Sequence, residues 1–300
     1  MIPGSGEGKI MAPEPERHGD LRRILQDLRD GNIDIETAER ELNLFSIDHI
    51  SGIAAIDSCR GNRNGVPEVV YADTKEPSDA ASIALRLVEK NGFAFMTRAG
   101  NDHHTAVCER VADFTAQKEQ GLSTTIREME VLRNEKARTI IVREIGHRFP
   151  ASGERRGKIG ILTAGTSDIP VAEEAVETCR IMGCETITFY DVGIAGMHRL
   201  FEPLKKMVES EVSVIIVVAG MEGALPSVVS SLVSVPVIGV PRSVGYGFGG
   251  KGEAALMSML QSCAPGLLVV NIDNGFGAGV GAALIAKNTI SSEGSGVPDA

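Results

Sequence analysis

From Lys158 onward the chain repeats one pattern: a short run of apolar, largely β-branched residues, then a stretch with apolar positions at helical spacing. The runs are KIGILTA, TITFYDV, VSVIIVVA, VPVIGV and GLLVVNI, and the first leads into IPVAEEAVETCRIMG. Continuous apolar runs, as opposed to alternating ones, mark strands buried on both faces, as in a parallel sheet covered by helices on each side. Five such units predict an α/β fold, a doubly wound parallel sheet with right-handed crossovers.

The first half is less regular. Residues 1–18 are rich in Gly, Pro and charge and are expected as a disordered tail. Leu21, Ile24, Leu25 and Leu28 fall at helical spacing, Gly31-Asn32 stops them, and a second short helix follows, so a helical hairpin is predicted. Between Val66 and Arg98 the segments PEVVYA, PSDAASIALRLVEKNG and FAFMTR predict strand, helix and strand, a small α/β unit. The polar stretch beyond reads as helical, and RFPASGERRGK (148–158) has the composition of a linker. The expected plan is a tail (1–18), an N-terminal helical and small α/β region (19–150), a catalytic parallel α/β domain (151–288) and a second disordered tail (289–300).

Composition narrows the function classes. With 43% hydrophobic and 23% charged residues in 300, the chain can bury a sizeable core. A net charge of −10, 4% aromatic residues and no Trp argue against a nucleic-acid binder, which needs a basic footprint or stacking platforms. The five cysteines form neither a disulfide framework nor a C-x-x-C metal motif, so a reducing cytoplasm is the expected compartment. No signal peptide is legible at the start, and the longest apolar run, about ten residues, is roughly half of a membrane span.

In doubly wound sheets ligands bind beyond the carboxyl ends of the strands. Here the five strand-following segments all combine glycine with polar groups: Ala164-Gly165-Thr166-Ser167-Asp168; Asp191 to His198-Arg199; Gly220-Met221-Glu222; Pro241 to Gly252, containing Ser243, Gly245 and Gly247; and Asp273-Asn274-Gly275. Glycine lets backbone approach a ligand, and helix starts offer N–H donors to phosphate. Each segment taken singly also reads as an ordinary βα turn with a helix cap. Gly245-x-x-x-x-Gly250-Lys251 imitates a phosphate-binding P-loop, but Gly252 stands where a magnesium-binding Ser or Thr belongs, so a generic substrate loop is the better reading. Cys263, in LQSCAPG ahead of the fifth strand, reads on position alone either as a small core residue or as a nucleophile. Cys179 and Cys184 read as structural, and His103-His104 as a solvated pair.

Together these segments resemble the phosphoribosylaminoimidazole carboxylases of purine synthesis. Gly165-Thr166-Ser167-Asp168 stands for that family's G-S-x-S-D, His198-Arg199 for A-H-R, Leu225-Pro226 for L-P-G and Pro236-Val-Ile-Gly-Val-Pro241 for P-V-x-G-V-P. The chain departs from it at Ala224, where the purine enzymes carry His, and at Ser262-Cys-Ala-Pro-Gly266, where they carry M-P-x-G. The chain is more similar to the LarB family, through Gly220-Met-Glu-Gly-Ala-Leu-Pro-Ser227, Ser243-Val-Gly-Tyr-Gly247, Ser262-Cys-Ala264, Asn271-Ile-Asp-Asn-Gly-Phe-Gly-Ala-Gly279 and Arg60-x-x-Arg63-x-Gly-x-Pro-Glu-Val69.

That resemblance implies carboxylation of nicotinic acid adenine dinucleotide by CO2 at C5 of its pyridinium ring. Hydrolysis of the phosphoanhydride then releases AMP and leaves pyridinium-3,5-biscarboxylic acid mononucleotide, a precursor of the nickel-pincer cofactor of lactate racemase. It implies Cys263 as nucleophile, Glu222 and His198 as catalytic partners, and Arg199 with the glycine and polar loop residues named above as substrate contacts. Magnesium on the diphosphate is implied too, with Asp168 and Asp273 its candidate ligands. The expected partner is another copy of the chain, in a homo-oligomer with shared active sites (an octamer in the purine relatives). The alternatives are an aminoimidazole ribonucleotide carboxylase or mutase, and a non-enzymatic nucleotide-binding module.

Overall fold

The computed structural model describes residues 24–44, 47–50, 52–57, 60–119, 128–149 and 157–294. The first helix, α1, is described over 24–29 and turns at Gly31 into α2 (Ile35–Leu44), as the hairpin pattern predicts. Ile24 is fully buried, whereas Leu25 is exposed. Two elements the pattern did not announce follow, the short antiparallel pair β1 (Asp48–Ile50) and β2 (Ala54–Ile56). After the single-turn helix α3 (Arg60–Asn64) comes the expected unit of β3 (Val69–Tyr71), α4 (Pro77–Asn91) and β4 (Phe93–Thr97). Pro77 starts α4 where its missing N–H costs nothing, and Gly92 ends it in the left-handed conformation.

The polar stretch beyond is helical only as far as α5 (Asn101–Glu119). Beyond it, where helix was expected to continue, the chain forms a β-hairpin, β5 (Met129–Asn134) and β6 (Thr139–Glu144). The turn between the two strands, EKAR, contains no Gly, Pro or Asn to announce it. Arg138 takes the left-handed conformation itself (φ 54°), and the Asn134 side chain accepts a bond from the Ala137 N–H. The four strands form one sheet in the order β3-β4-β6-β5.

The second half follows its pattern closely. Strands β7 (Lys158–Thr163), β8 (Glu185–Phe189), β9 (Val214–Ala219), β10 (Val237–Pro241) and β11 (Leu267–Val269) pair in parallel in the order β11-β10-β9-β7-β8. The helices between them are α6 (Ile169–Ile181), α7 (Phe201–Glu209), α8 (Leu225–Ser230) and α9 (Glu253–Leu260), with α10 (Gly275–Gly294) last. Helix α10 runs past position 288, where a tail was expected: its sequence holds no Pro, and no Gly between Gly281 and Gly294 stops it. Both terminal tails otherwise lie outside the described residues.

Along β9, Val214, Ile216 and Val218 face one layer, of α6 and α10, while Ile215, Val217 and Ala219 face the other, of α7, α8 and α9. This is the two-sided burial that a continuous apolar run foretells. The small N-terminal sheet uses the same device. Phe93 and Phe95 of β4 pack with Ile141 on α6 and α10, while Ala94 and Met96 turn to α4 on the opposite face. The two halves thereby share a core, and the tip of the small sheet is carried to the carboxyl edge of the large one.

Candidate active site at the carboxyl edge of the parallel sheet

The strand order places β7 between β8 and β9, and the direction of winding reverses at β7 and β9. Open α/β sheets bind ligands at this point, where the loops after the two strands diverge. Asp168 (after β7) and Gly220 (after β9) meet there: a Cβ on Gly220 would sit 3.6 Å from Asp168 Oδ1 and 2.5 Å from the Val244 carbonyl oxygen. Only glycine lets these loops close together.

Asp168 is 3% exposed. Its Oδ2 accepts a 2.8 Å bond from the Gly165 N–H, while its Oδ1 is buried and finds no partner in the protein. Burial pushes its pKa up, more than the Gly165 bond and the nearby Arg242 draw it down. Beside it, Arg242 donates 2.5 Å to Asp273 Oδ1 and 3.1 Å to the Ser167 carbonyl oxygen, and the Ser243 N–H donates 3.0 Å to the same Asp273 oxygen. Burial opposes the Asp273 charge, but Ser243 and Arg242 outweigh it and hold the carboxyl below the usual range. Asn274 caps α10, its side-chain oxygen accepting from the Gly277 N–H at 2.8 Å. Gly275 is buried, with room for a Cβ only 2.3 Å from the Val171 carbonyl oxygen, so its visible task is to seat α10 on α6.

The loops store backbone strain. Among the described residues, seven that are not glycine have positive φ. Asp191, Met221, Lys251 and Asp273 lie in the carboxyl-edge loops, and Arg98 and Arg138 face Asp273 from the small sheet. Each such residue costs on the order of 1–3 kcal/mol and persists only where the surroundings over-determine it, a condition typical of ligand sites.

The remaining candidates are placed less centrally. Thr166 and Ser167 are exposed at the first loop. His198 is exposed, and Arg199 pairs with Asp191 at 2.6 Å. Glu222 is exposed just after β9, and Gly245 and Gly247 stand in the open fourth loop. Cys263 lies in the segment leading from α9 into the amino end of β11, whereas Asp273 follows its carboxyl end. That segment is tied to α8 by the 2.7 Å bond between Ser262 and Ser227 and by the Ser230 hydroxyl, which donates to the Pro265 carbonyl oxygen at 2.6 Å. No hydrogen bond joins Cys263 to Asp168, Arg242 or Asp273 among the described residues. Cys263 is nevertheless exposed, while Cys179 and Cys184 are buried and their thiols pushed up by desolvation. Burial as core filler is thereby set aside for Cys263. Arg60 and Arg63 pair with Glu68 and Asp57.

Asp168 and Asp273 make a poor resident metal centre. Arg242 already neutralises Asp273, and no group of three or more His, Cys, Asp or Glu residues able to hold a metal occurs among the described residues. Sequence reading missed Glu174, Arg98 and Arg242. Glu174 lies on the apolar face of α6, 4% exposed, accepting from the Thr97 hydroxyl, and burial pushes its pKa up. A carboxylate among Val171, Thr178 and Cys179 at helical spacing was the available signal. Arg98 reaches across to the Asp273 carbonyl oxygen at 2.7 Å.

Comparison with known proteins agrees with this geometry. Residues 158–297 match the AIR carboxylase family, and residues 48–128 match the LarB/PurE-like N-terminal domain. An uncharacterized protein of Methanocaldococcus jannaschii is 46% identical over 267 residues, 89% of this chain and 97% of its own length. The chain belongs to the AIR carboxylase family. Further members similar to it are N5-carboxyaminoimidazole ribonucleotide mutases: that of M. jannaschii is 36% identical over 41% of this chain and 74% of its own, and that of Thermotoga maritima 34% identical over 43% and 74%. AIR carboxylase membership supports an enzyme of carboxylase or mutase type on a parallel α/β sheet, and the N-terminal match agrees with the LarB resemblance of the motifs. No helix of the described residues is long and apolar enough to cross a membrane.

Proposed function

We propose that the protein carboxylates the pyridinium ring of nicotinic acid adenine dinucleotide at C5 and hydrolyses the phosphoanhydride, yielding AMP and pyridinium-3,5-biscarboxylic acid mononucleotide for nickel-pincer cofactor synthesis. The observation that carries this reading is the exposure of Cys263, in a family whose purine members have M-P-x-G at that position. A pyridinium carbon is too electron-poor to attack CO2. Addition of the Cys263 thiolate at C4 places the ring electrons in a dihydropyridine whose C5 behaves as an enamine carbon. C5 then bonds to CO2, its proton leaves to a base, and expulsion of the thiolate from C4 restores the aromatic ring. Cysteine suits both halves of this cycle, since a thiolate is a good nucleophile and a good leaving group. Glu222 and His198, both exposed at the carboxyl edge, are the groups proposed to take the proton.

Cys263 and the carboxyl-edge cluster stand at opposite ends of β11, and Met257, Leu260 and Leu268 nearby are 65%, 68% and 51% exposed. We take this uncovered apolar surface to be closed by further copies of the chain, in a homo-oligomer whose neighbouring copies complete the site. The test is intact-protein mass spectrometry after incubation with nicotinic acid adenine dinucleotide. An adduct mapping to Cys263, absent in Cys263→Ala, together with release of AMP and a doubly carboxylated mononucleotide, is the expected result. No adduct and no turnover would sink the reading. The ribonucleotide mutases among the relatives favour a second reading, aminoimidazole ribonucleotide carboxylation, under which Cys263→Ala keeps full activity on that substrate.

A further inference from the structure

Where the tip of the small sheet meets the carboxyl edge of the large one, a cleft of about 160 Å³ opens between Arg98, Lys136 and Arg138 on one side and Glu174, Arg242 and Asp273 on the other. This is smaller than the roughly 300–1,000 Å³ of a whole-ligand pocket, so it suits one chemical group of a ligand. Its charge selects that group. Four cations line it against two carboxylates; Asp273 is matched by Arg242, Arg138 also pairs with Asp73 outside the lining, and Arg98 and Lys136 are left against the deeply buried Glu174.

The arginines are held in place. Arg98 is pinned between the Tyr71 ring, 5.2 Å from its guanidinium carbon, and the Asp273 carbonyl oxygen at 2.7 Å. Arg138 donates to the Arg98 carbonyl oxygen and to Asp73, both at 3.1–3.2 Å, and its own carbonyl accepts from the Ala99 N–H at 2.7 Å. Both arginines have left-handed backbones, at φ 56° and 54°. Lys136 is exposed at the turn of the β5–β6 hairpin. On the far wall the buried Arg242 Nε is without a protein partner. A preorganised set of guanidinium groups beside an unpartnered N–H matches the geometry of phosphate oxygens.

We infer that this cleft is a phosphate subsite, supplied largely by the N-terminal region, which holds a phosphate of the nucleotide substrate against the carboxyl edge. The inference deepens the proposed function and rests on it for the identity of the substrate, but the phosphate chemistry can be tested apart from it. The small sheet thereby acquires a task beyond packing: its EKAR turn and the end of β4 reach residues that follow β7, β10 and β11 of a sheet to which they do not belong.

The experiment is calorimetric titration of the full chain and of two variants, Lys136→Glu and Arg138→Gly, with ADP-ribose, AMP and nicotinic acid riboside. Glycine at 138 suits the positive φ, so the turn survives while the guanidinium is lost, and thermal melts check both variants. Affinity for a phosphate-bearing probe is expected to fall about tenfold or more in each variant, with riboside affinity unchanged within about twofold. Loss with ADP-ribose alone assigns the bridging diphosphate, and loss with AMP as well assigns a terminal phosphate; both support the subsite. Unchanged affinity, an equal loss for the riboside, or no binding of either phosphate probe by the unaltered chain overturns it. Cys263 adduct formation is measured on the same samples. An adduct with unchanged phosphate affinity leaves the proposed function standing without the subsite, and the converse leaves the subsite without that function.

Discussion

Replacing Arg242 with alanine removes the cation that lies between Asp168 and Asp273. Its side chain is 12% exposed and that of Asp273 23%, with 2.5 Å between them. At an effective dielectric of about 20, unit charges about 4 Å apart attract by about 4 kcal/mol. Desolvating the guanidinium offsets part of this, but the alanine variant keeps the cost of a half-buried carboxylate without its cation, and removing one partner of a buried pair costs about 3–5 kcal/mol. Because Ser243 still serves Asp273, the lower end, about 3 kcal/mol at pH 7, is expected.

The sign of the pH dependence follows from the direction of each shift. In the unaltered protein the Asp273 pKa is depressed, so its contribution is present above the unfolded value and lost as pH falls through the folded one. Without Arg242 the Asp273 carboxyl is less depressed, so the variant's deficit narrows as pH falls through the unfolded value and towards the folded one. Urea unfolding at pH 7 and at about pH 3 should therefore show a deficit that narrows on acidification. Arg242→Lys, which keeps the charge but not both hydrogen bonds, should lose about 1 kcal/mol. A deficit in Arg242→Ala below about 1 kcal/mol, or one equal at both pH values, would refute this account of the pair.

Two further outcomes follow from the packing around α10. Alanine at Gly275 would place its Cβ 2.3 Å from the Val171 carbonyl oxygen and 2.8 Å from Glu174 Oε2, where ordinary contact begins at 3.4 Å. Helix α10 must then retreat by about 1 Å, at a cost of about 1–3 kcal/mol read as a lower melting temperature; a variant melting with the unaltered protein contradicts the close seat of α10 on α6. Glu174 is buried with its pKa raised, so the stability it contributes is full below its unfolded value near 4.5 and is lost as pH rises towards the folded value. Glu174→Gln, which can still accept from Thr97, should gain stability relative to the unaltered chain between pH 4 and pH 7 in paired urea titrations, and a flat difference excludes burial as the dominant influence on Glu174.

The parallel sheet was legible because its strands are buried on both faces. Continuous apolar runs such as VSVIIVVA can satisfy that environment and little else, and the right-handed crossover rule narrows the topology that follows. The loop residues Asp168, Gly220, Ser243 and Asp273 were legible for a related reason: they directly follow strands, and ligands of doubly wound sheets bind at that edge. The β5–β6 hairpin was not, since EKAR holds its left-handed residue in an arginine instead of a glycine. Arg98, Arg242 and Glu174 come from distant parts of the chain, and what they do depends on how close the small sheet sits to the edge of the large one. That distance is set by Phe93 and Phe95 seating on α6 and α10, a packing of side chains far apart in sequence. Local pattern thus determined the strands, and the family resemblance of Ser262-Cys-Ala-Pro-Gly266 marked Cys263 as a residue of interest. The exposure of Cys263, its place at the opposite end of β11 from Asp273, and the cationic cleft were decided by tertiary structure, because burial and charge pairing are properties of surfaces brought together in space.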